Sequence, residues 1–237
     1  MYNEIMTTTT FSKRIKKDTS KSHSMAENTG FVTNFLAGVV SKDSYKQLIA
    51  DFFFIYTALE EQVDKFKDDP LIAPIAFDEL KRVPALEKDC EFYWGEDWRT
   101  VIHPTDACTN YVKRVQKINA KFLVGHHYTR YLGDLSGGQI LKNIADKAMG
   151  LSGQGLAFYD FANIPDAKDF KTKYRTALDN LPMSESDGDL IINEANYAFK
   201  LNMDVFDEIG SSRTFPIIST IRGLLQLTWG AIKSKKR

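Results

Sequence analysis

The stretch Tyr128–Gln139, YTRYLGDLSGGQ, limits what this chain can fold into more than any other part of it. It lies inside a long run of helical periodicity, yet Gly133, Gly137 and Gly138 fall in its interior. A glycine inside a helix costs about 0.5–1 kcal/mol relative to alanine, so a run of them needs a compensating use. Gly133 and Gly137 are one turn apart and share a face. That face has no side chains, so a flat, bulky group can come within contact distance of the backbone. The glycines also permit a bend. Arg130 and Asp134, again one turn apart, put a guanidinium and a carboxylate within reach of each other. The competing use is close helix–helix packing, in which small residues let two backbones approach. The phosphate-loop reading is weak, because GDLSGGQ lacks the Gly-Lys-Ser/Thr ending and no strand precedes it. The dinucleotide fingerprint fails because Val124–Tyr131 continues a helical pattern rather than a strand.

The surrounding sequence points to one all-α domain. With 237 residues, 43% of them hydrophobic, the chain can bury one substantial core, and its long helical patterns carry only 14 glycines and 7 prolines. Lys and Arg balance Asp and Glu at 31 each, which leaves no global field to recruit nucleic acid. Cys90 and Cys108 form no Cys-x-x-Cys pair, which excludes a cysteine metal cage and suits a reducing, intracellular compartment. The opening MYNEIMTTTT lacks the apolar core of a signal peptide. Residues 1–10 read as a flexible N-terminus, 11–210 as the folded body and 211–237 as a tail. Phe215–Ile232 is too short and interrupted for a transmembrane anchor. Its amphipathic stripe, with KSKKR behind it, is expected to dock on the body or make weak contact with a membrane surface.

Within the body, Phe11–Asn28 reads as a first helix with His23 on its inward face. A lone histidine there is more often a packed core residue than a ligand. Glu27, one turn on, could accept the second ring N–H and fix the tautomer, as happens beside metal-bound histidines. A second helix starts at Ser41 or Asp43, runs to Asp68-Asp69-Pro70 and buries Tyr56, whose hydroxyl should find a polar partner inside. Pro84 opens a helix that Gly95 stops, and Thr105 caps the next. Residues 119–121 interrupt the pattern before Phe122 opens the glycine-bearing helix. His126 and His127 read as surface or hydrogen-bonding residues. A helix from Pro165 or Asp166 to Asn180 carries Lys171 and Arg175 on one flank, either a solvated face or a pair with an anion between them. Glu185–Ile209 is the last strong helix, with Phe199 and Asn202 facing in.

Together these segments resemble the heme oxygenase family. YTRYLGDLSGGQ is similar to its signature almost throughout, and HSMAEN at His23–Asn28 to its proximal-ligand motif. FIYTALEE, YVKRV, the FK…YR spacing at Phe170–Arg175 and AFKLN follow in the family order, so the likeness covers about Ser12–Ile209. The resemblance implies a single all-α domain with haem between a proximal and a distal helix. It implies His23 as the iron ligand, with Glu27 orienting the ring. Gly133, Gly137 and Gly138 would form the bare distal floor, and Arg130, Asp134 and Tyr56 the distal proton network. Lys16, Lys171 and Arg175 would pair with the propionates, Phe199 and Asn202 would line the distal side, and Tyr128 would help bind the cofactor. Haem would be both cofactor and substrate, cleaved with O2 at a meso carbon, by default the alpha one, to biliverdin, ferrous iron and carbon monoxide. Electrons would come from ferredoxin or another reductase. A bilin reductase could act downstream, and the setting would be the cytoplasm, or a plastid stroma in an alga. A haem carrier or sensor without turnover is the alternative, but it would not need Asp134. A di-iron oxidase would need paired Glu-x-x-His motifs, which are absent.

Overall fold

The computed structural model describes residues 9–211, and every regular element among them is helical. In order they are α1 (Phe11–Asp18), α2 (Ser20–Glu27), α3 (Gly30–Leu36), α4 (Lys42–Lys65), α5 (Val83–Trp94), α6 (Trp98–Val101), α7 (Asp106–Lys117), α8 (Ala120–His127), α9 (Gly133–Met149), α10 (Ala167–Asp179) and α11 (Glu185–Ser211). Two 3-10 turns, Asp78–Leu80 and Ala157–Tyr159, supplement them, and a π-helical turn, Tyr128–Leu132, joins α8 to α9. The expectations for the N-terminal segment and the tail fall on residues 1–8 and 212–237, outside the described residues.

Local chemistry sets most boundaries. Ser41 accepts from the Ser44 amide at 3.0 Å, Thr105 from Cys108 at 3.2 Å and Asn119 from Phe122 at 3.1 Å, which starts α4, α7 and α8. Asp166 accepts the Lys168 and Asp169 amides and starts α10. Gly95 (φ +80°) and Gly150 (φ +62°) stop α5 and α9 in conformations that side chains disfavour. The expected first helix is two helices, because the Thr19 hydroxyl bonds back to the Ile15 carbonyl at 2.7 Å and the chain bends there. Gly30–Leu36, between the first and second predicted helices, forms the short α3 and buries Phe31 and Phe35. The second predicted helix stops at Lys65, short of Asp68; Asp69 instead accepts the Leu71 amide and builds a turn. The glycine-bearing helix opens at Ala120, two residues before Phe122.

The longest helix, α11, lies along α8 and touches α2, α3, α4 and α7, while α4 packs on α5 and α7. Close packing of backbones does occur, but at Gly125. A Cβ there would stand 2.9 Å from both the Ala195 nitrogen and the Ile191 oxygen of α11. His126 and His127 are buried rather than on the surface, His126 against α11 and His127 against α10. His126 Nε2 meets Glu194 at 2.9 Å, and His127 Nδ1 meets the Tyr174 hydroxyl at 2.7 Å.

Candidate active site

An open cavity of about 210 Å³ lies among α2, α3, α4, α9 and α11. His23, Ala26 and Glu27 line it from α2, and Phe199, Asn202 and Phe206 from α11. Arg130 enters from the π-turn, and Gly133, Asp134, Gly137 and Gly138 from α9. A Cβ added at Gly133 or Gly137 would meet nothing within 4 Å, so these two glycines leave open space beside the backbone. Gly138 is different, because its Cβ would stand 3.5 Å from the Tyr159 ring.

His23 presents a half-exposed imidazole, its Nδ1 3.5 Å from the Glu27 carboxylate and its ring edge-on to Phe199 at 5.7 Å. With Nδ1 turned to Glu27, Nε2 is the nitrogen left for a ligand. No group of three or more His, Cys, Asp or Glu among the described residues could hold a metal ion by itself. His23 therefore suits a metal that brings its other ligands with it, and the bare glycine face suits a planar carrier of that metal.

Across the cavity wall, Arg130 is buried at the centre of a polar cluster. It donates to the Tyr56 hydroxyl at 3.1 Å, to Asn202 Oδ1 at 2.6 Å and to Asp134 Oδ1 at 3.2 Å. Tyr56 in turn donates to the other Asp134 oxygen. Asn202 donates to the Ala198 carbonyl at 2.8 Å and reaches the Tyr111 hydroxyl at 3.5 Å. The guanidinium also lies 4.4 Å from the Phe52 ring centroid. Burial pushes the Asp134 carboxyl well above its ordinary range. Burial likewise lowers Arg130. A raised carboxyl on the cavity wall is placed to exchange a proton with a group in the cavity.

The cavity thus brings together His23, Glu27, Arg130, Gly133, Asp134, Gly137, Gly138, Phe199 and Asn202, with Tyr56 standing behind Asp134. Lys16, Tyr128, Lys171 and Arg175 are not part of its lining. Tyr128 faces Thr19, at the bend between α1 and α2, and Arg175. Lys16, Lys171 and Arg175 make no ion pair among the described residues. Sequence reasoning missed the apolar end of the cavity, formed by Phe31, Phe35, Leu48, Phe52, Phe158 and Tyr159. Phe158 and Tyr159 belong to a segment without periodicity, which does not disclose which way its side chains point.

Known proteins share this sequence and fold. Residues 9–208 match the family described as Heme oxygenase. A heme oxygenase from Rhodella violacea is 48% identical over 208 residues, 86% of this chain and 88% of its own. Heme oxygenase 1 from Nostoc sp. is 50% identical over 200 residues, 83% of this chain and 84% of its own. Heme oxygenase-1 from the cyanobacterium Synechocystis, solved in complex with heme, is similar with a TM-score of 0.84 and 45% identity, over 93% of this chain and 100% of that one.

Proposed function

The chain belongs to the heme oxygenase family, and on that premise we infer that it opens haem oxidatively to biliverdin, ferrous iron and carbon monoxide. The observation that carries this reading is that His23 of α2 and the glycine face of α9 line the same cavity, with the Asp134 carboxyl, held by Arg130 and Tyr56, at its edge. When bound, haem supplies the iron that engages O2 and is itself the substrate that is oxidised.

The protein's own residues divide the remaining work. His23 would hold the iron through Nε2, with Glu27 fixing the ring. Gly133 and Gly137, beside open space, would let the macrocycle come close to the backbone, with Gly138 next to them against the Tyr159 ring. Asp134 would hold and deliver the proton, with Tyr56 and Arg130 keeping its carboxyl in place and Asn202 anchoring Arg130. Phe199, 5.7 Å from the His23 ring, would pack beside the proximal imidazole rather than on the distal side. Lys16, Lys171 and Arg175, cations without an ion-pair partner among the described residues, would pair with the propionates at the rim, next to Tyr128. Cleavage at the alpha-meso carbon is the default for this family resemblance.

Ferredoxin is the electron donor this reading favours, supported by the Nostoc and Synechocystis relatives. The rim cations would offer an acidic donor a docking face. Biliverdin would then feed a bilin reductase in the cytoplasm or a plastid stroma. No helix among the described residues is long and apolar enough to cross a membrane. The test is incubation with haem in air, with reduced ferredoxin as sole donor, followed by chromatography of the products. Decay of the Soret band with one biliverdin isomer is expected. A stable Soret band with ferredoxin and with every other reductant would leave a haem carrier instead.

A further inference from the structure

Phe158 and Tyr159 reach the cavity from a connector with only a single 3-10 turn of its own. Its backbone is held by three side chains from elsewhere in the chain. Asp89 of α5, sealed from solvent, accepts the Ala157 amide with one oxygen and the Phe158 amide with the other, each at 2.8 Å. Arg82, also buried, donates to the carbonyls of Phe158 at 3.0 Å and Asp160 at 2.8 Å, and steadies its own Nε on the Leu80 carbonyl. Gln139, the last residue of the glycine motif, donates to the Tyr159 carbonyl at 3.0 Å. Each residue from 157 to 160 therefore has an amide or a carbonyl held by a side chain, and none of the three holders lines the cavity.

We infer that Asp89, with Arg82 and Gln139, is the positioning group for the Phe158–Tyr159 wall, which closes one end of the space that haem must fit between α2 and the glycine floor. The inference rests on the haem reading above. The wall already meets the floor at Gly138, where a Cβ would stand 3.5 Å from the Tyr159 ring, so a shift of the connector changes the cavity directly. The carboxylate is specific for its task. A side-chain amide can accept only one of the two N–H groups and turns its own NH2 toward the other. Asp89→Asn therefore releases half of the grip and leaves the rest of α5 in place.

The test compares the full chain with Asp89→Asn and Asp51→Asn. Asp51 is a second buried carboxylate that accepts the Thr105 amide and hydroxyl at the start of α7, away from the connector. Amide exchange, thermal unfolding, haemin titration at the Soret band and the distribution of biliverdin isomers are read for each. Asp89→Asn is expected to speed exchange at Ala157 and Phe158 about tenfold or more, weaken haemin binding about tenfold and broaden the isomer distribution, as loss of a charged hydrogen bond would. Asp51→Asn is expected to lower the unfolding temperature but leave haemin affinity within about twofold. Faster exchange with unchanged haemin affinity and isomers in Asp89→Asn overturns the proposal, as does an affinity loss in both variants that only follows their unfolding temperatures. If Asp89→Asn does not fold, Gln139→Ala decides, since it removes one bond from an exposed side chain; about threefold weaker haemin binding supports the proposal and unchanged binding overturns it. A wild-type chain that fails to bind haemin sinks the haem reading, while the exchange arm still tests the clamp.

Discussion

Asp134 shows how one carboxyl acquires a function from its surroundings. Its partnership with Arg130 is written in the spacing, because residues four apart on a helix meet. The Tyr56 contact is not, since the periodicity of α4 says only that the ring is buried. Asp134→Ala is expected to keep haem binding and lose biliverdin formation by about 10²-fold or more, the usual scale for a positioned acid. Normal turnover in that variant would remove the proton-delivery role. His23→Ala is expected to shift the Soret band and weaken haem binding at least tenfold; an unmoved Soret band would name another ligand. The histidine's neighbours were legible because Glu27 is one turn away. The fates of Lys16, Lys171 and Arg175 were not, because cations on a helix flank look the same whether they face solvent or a ligand.

Among the elements, the run from α8 through the π-turn to α9 concentrates the chemistry. The π-turn widens the helix at Tyr128–Leu132, immediately before the glycines, and Arg130 is carried on it. Glycines in this run have opposite duties. Gly125 lets α8 approach α11, whereas Gly133 and Gly137 keep a surface bare. The two duties predict opposite outcomes. Gly125→Ala should cost about 1–3 kcal/mol in chemical denaturation, because the methyl meets backbone that cannot step aside. Gly137→Leu should hold or raise stability by about 0.5–1 kcal/mol, since a helix former replaces glycine in open space, yet weaken haem binding at least tenfold. A Gly137→Leu protein that binds haem normally would rule out the bare floor. The motif disclosed that glycines were needed here, but their use as cavity floor or packing contact was settled by what lies opposite each one.

Across the whole molecule, Glu194 ties three helices together. From α11 it accepts from Arg114 of α7 at 2.8 Å and meets His126 of α8 at 2.9 Å. Burial alone would raise its carboxyl, but the hydrogen bonds from His126 and Arg114 outweigh burial and bring it down to about 2. Its folded value is below the ordinary 4.5, so the stability it contributes is present above that pH and is lost as pH falls through about 2. Glu194→Gln should cost about 2 kcal/mol at pH 7, and the gap from wild type should close during acid titration of the unfolding free energy. A gap that stays constant with pH would mean the tie is packing rather than charge. By itself the sequence determined the helical class, most caps and stops, the one-turn spacing of His23 and Glu27 and the glycine motif, because each depends on contacts within a few residues. Only the tertiary structure decided that Phe158 and Tyr159 wall the cavity, that His126 and His127 are interior, and that Tyr56 and Asn202 converge on Arg130. Those outcomes depend on groups far apart in the chain, whose meeting is set by how helices pack rather than by any local period.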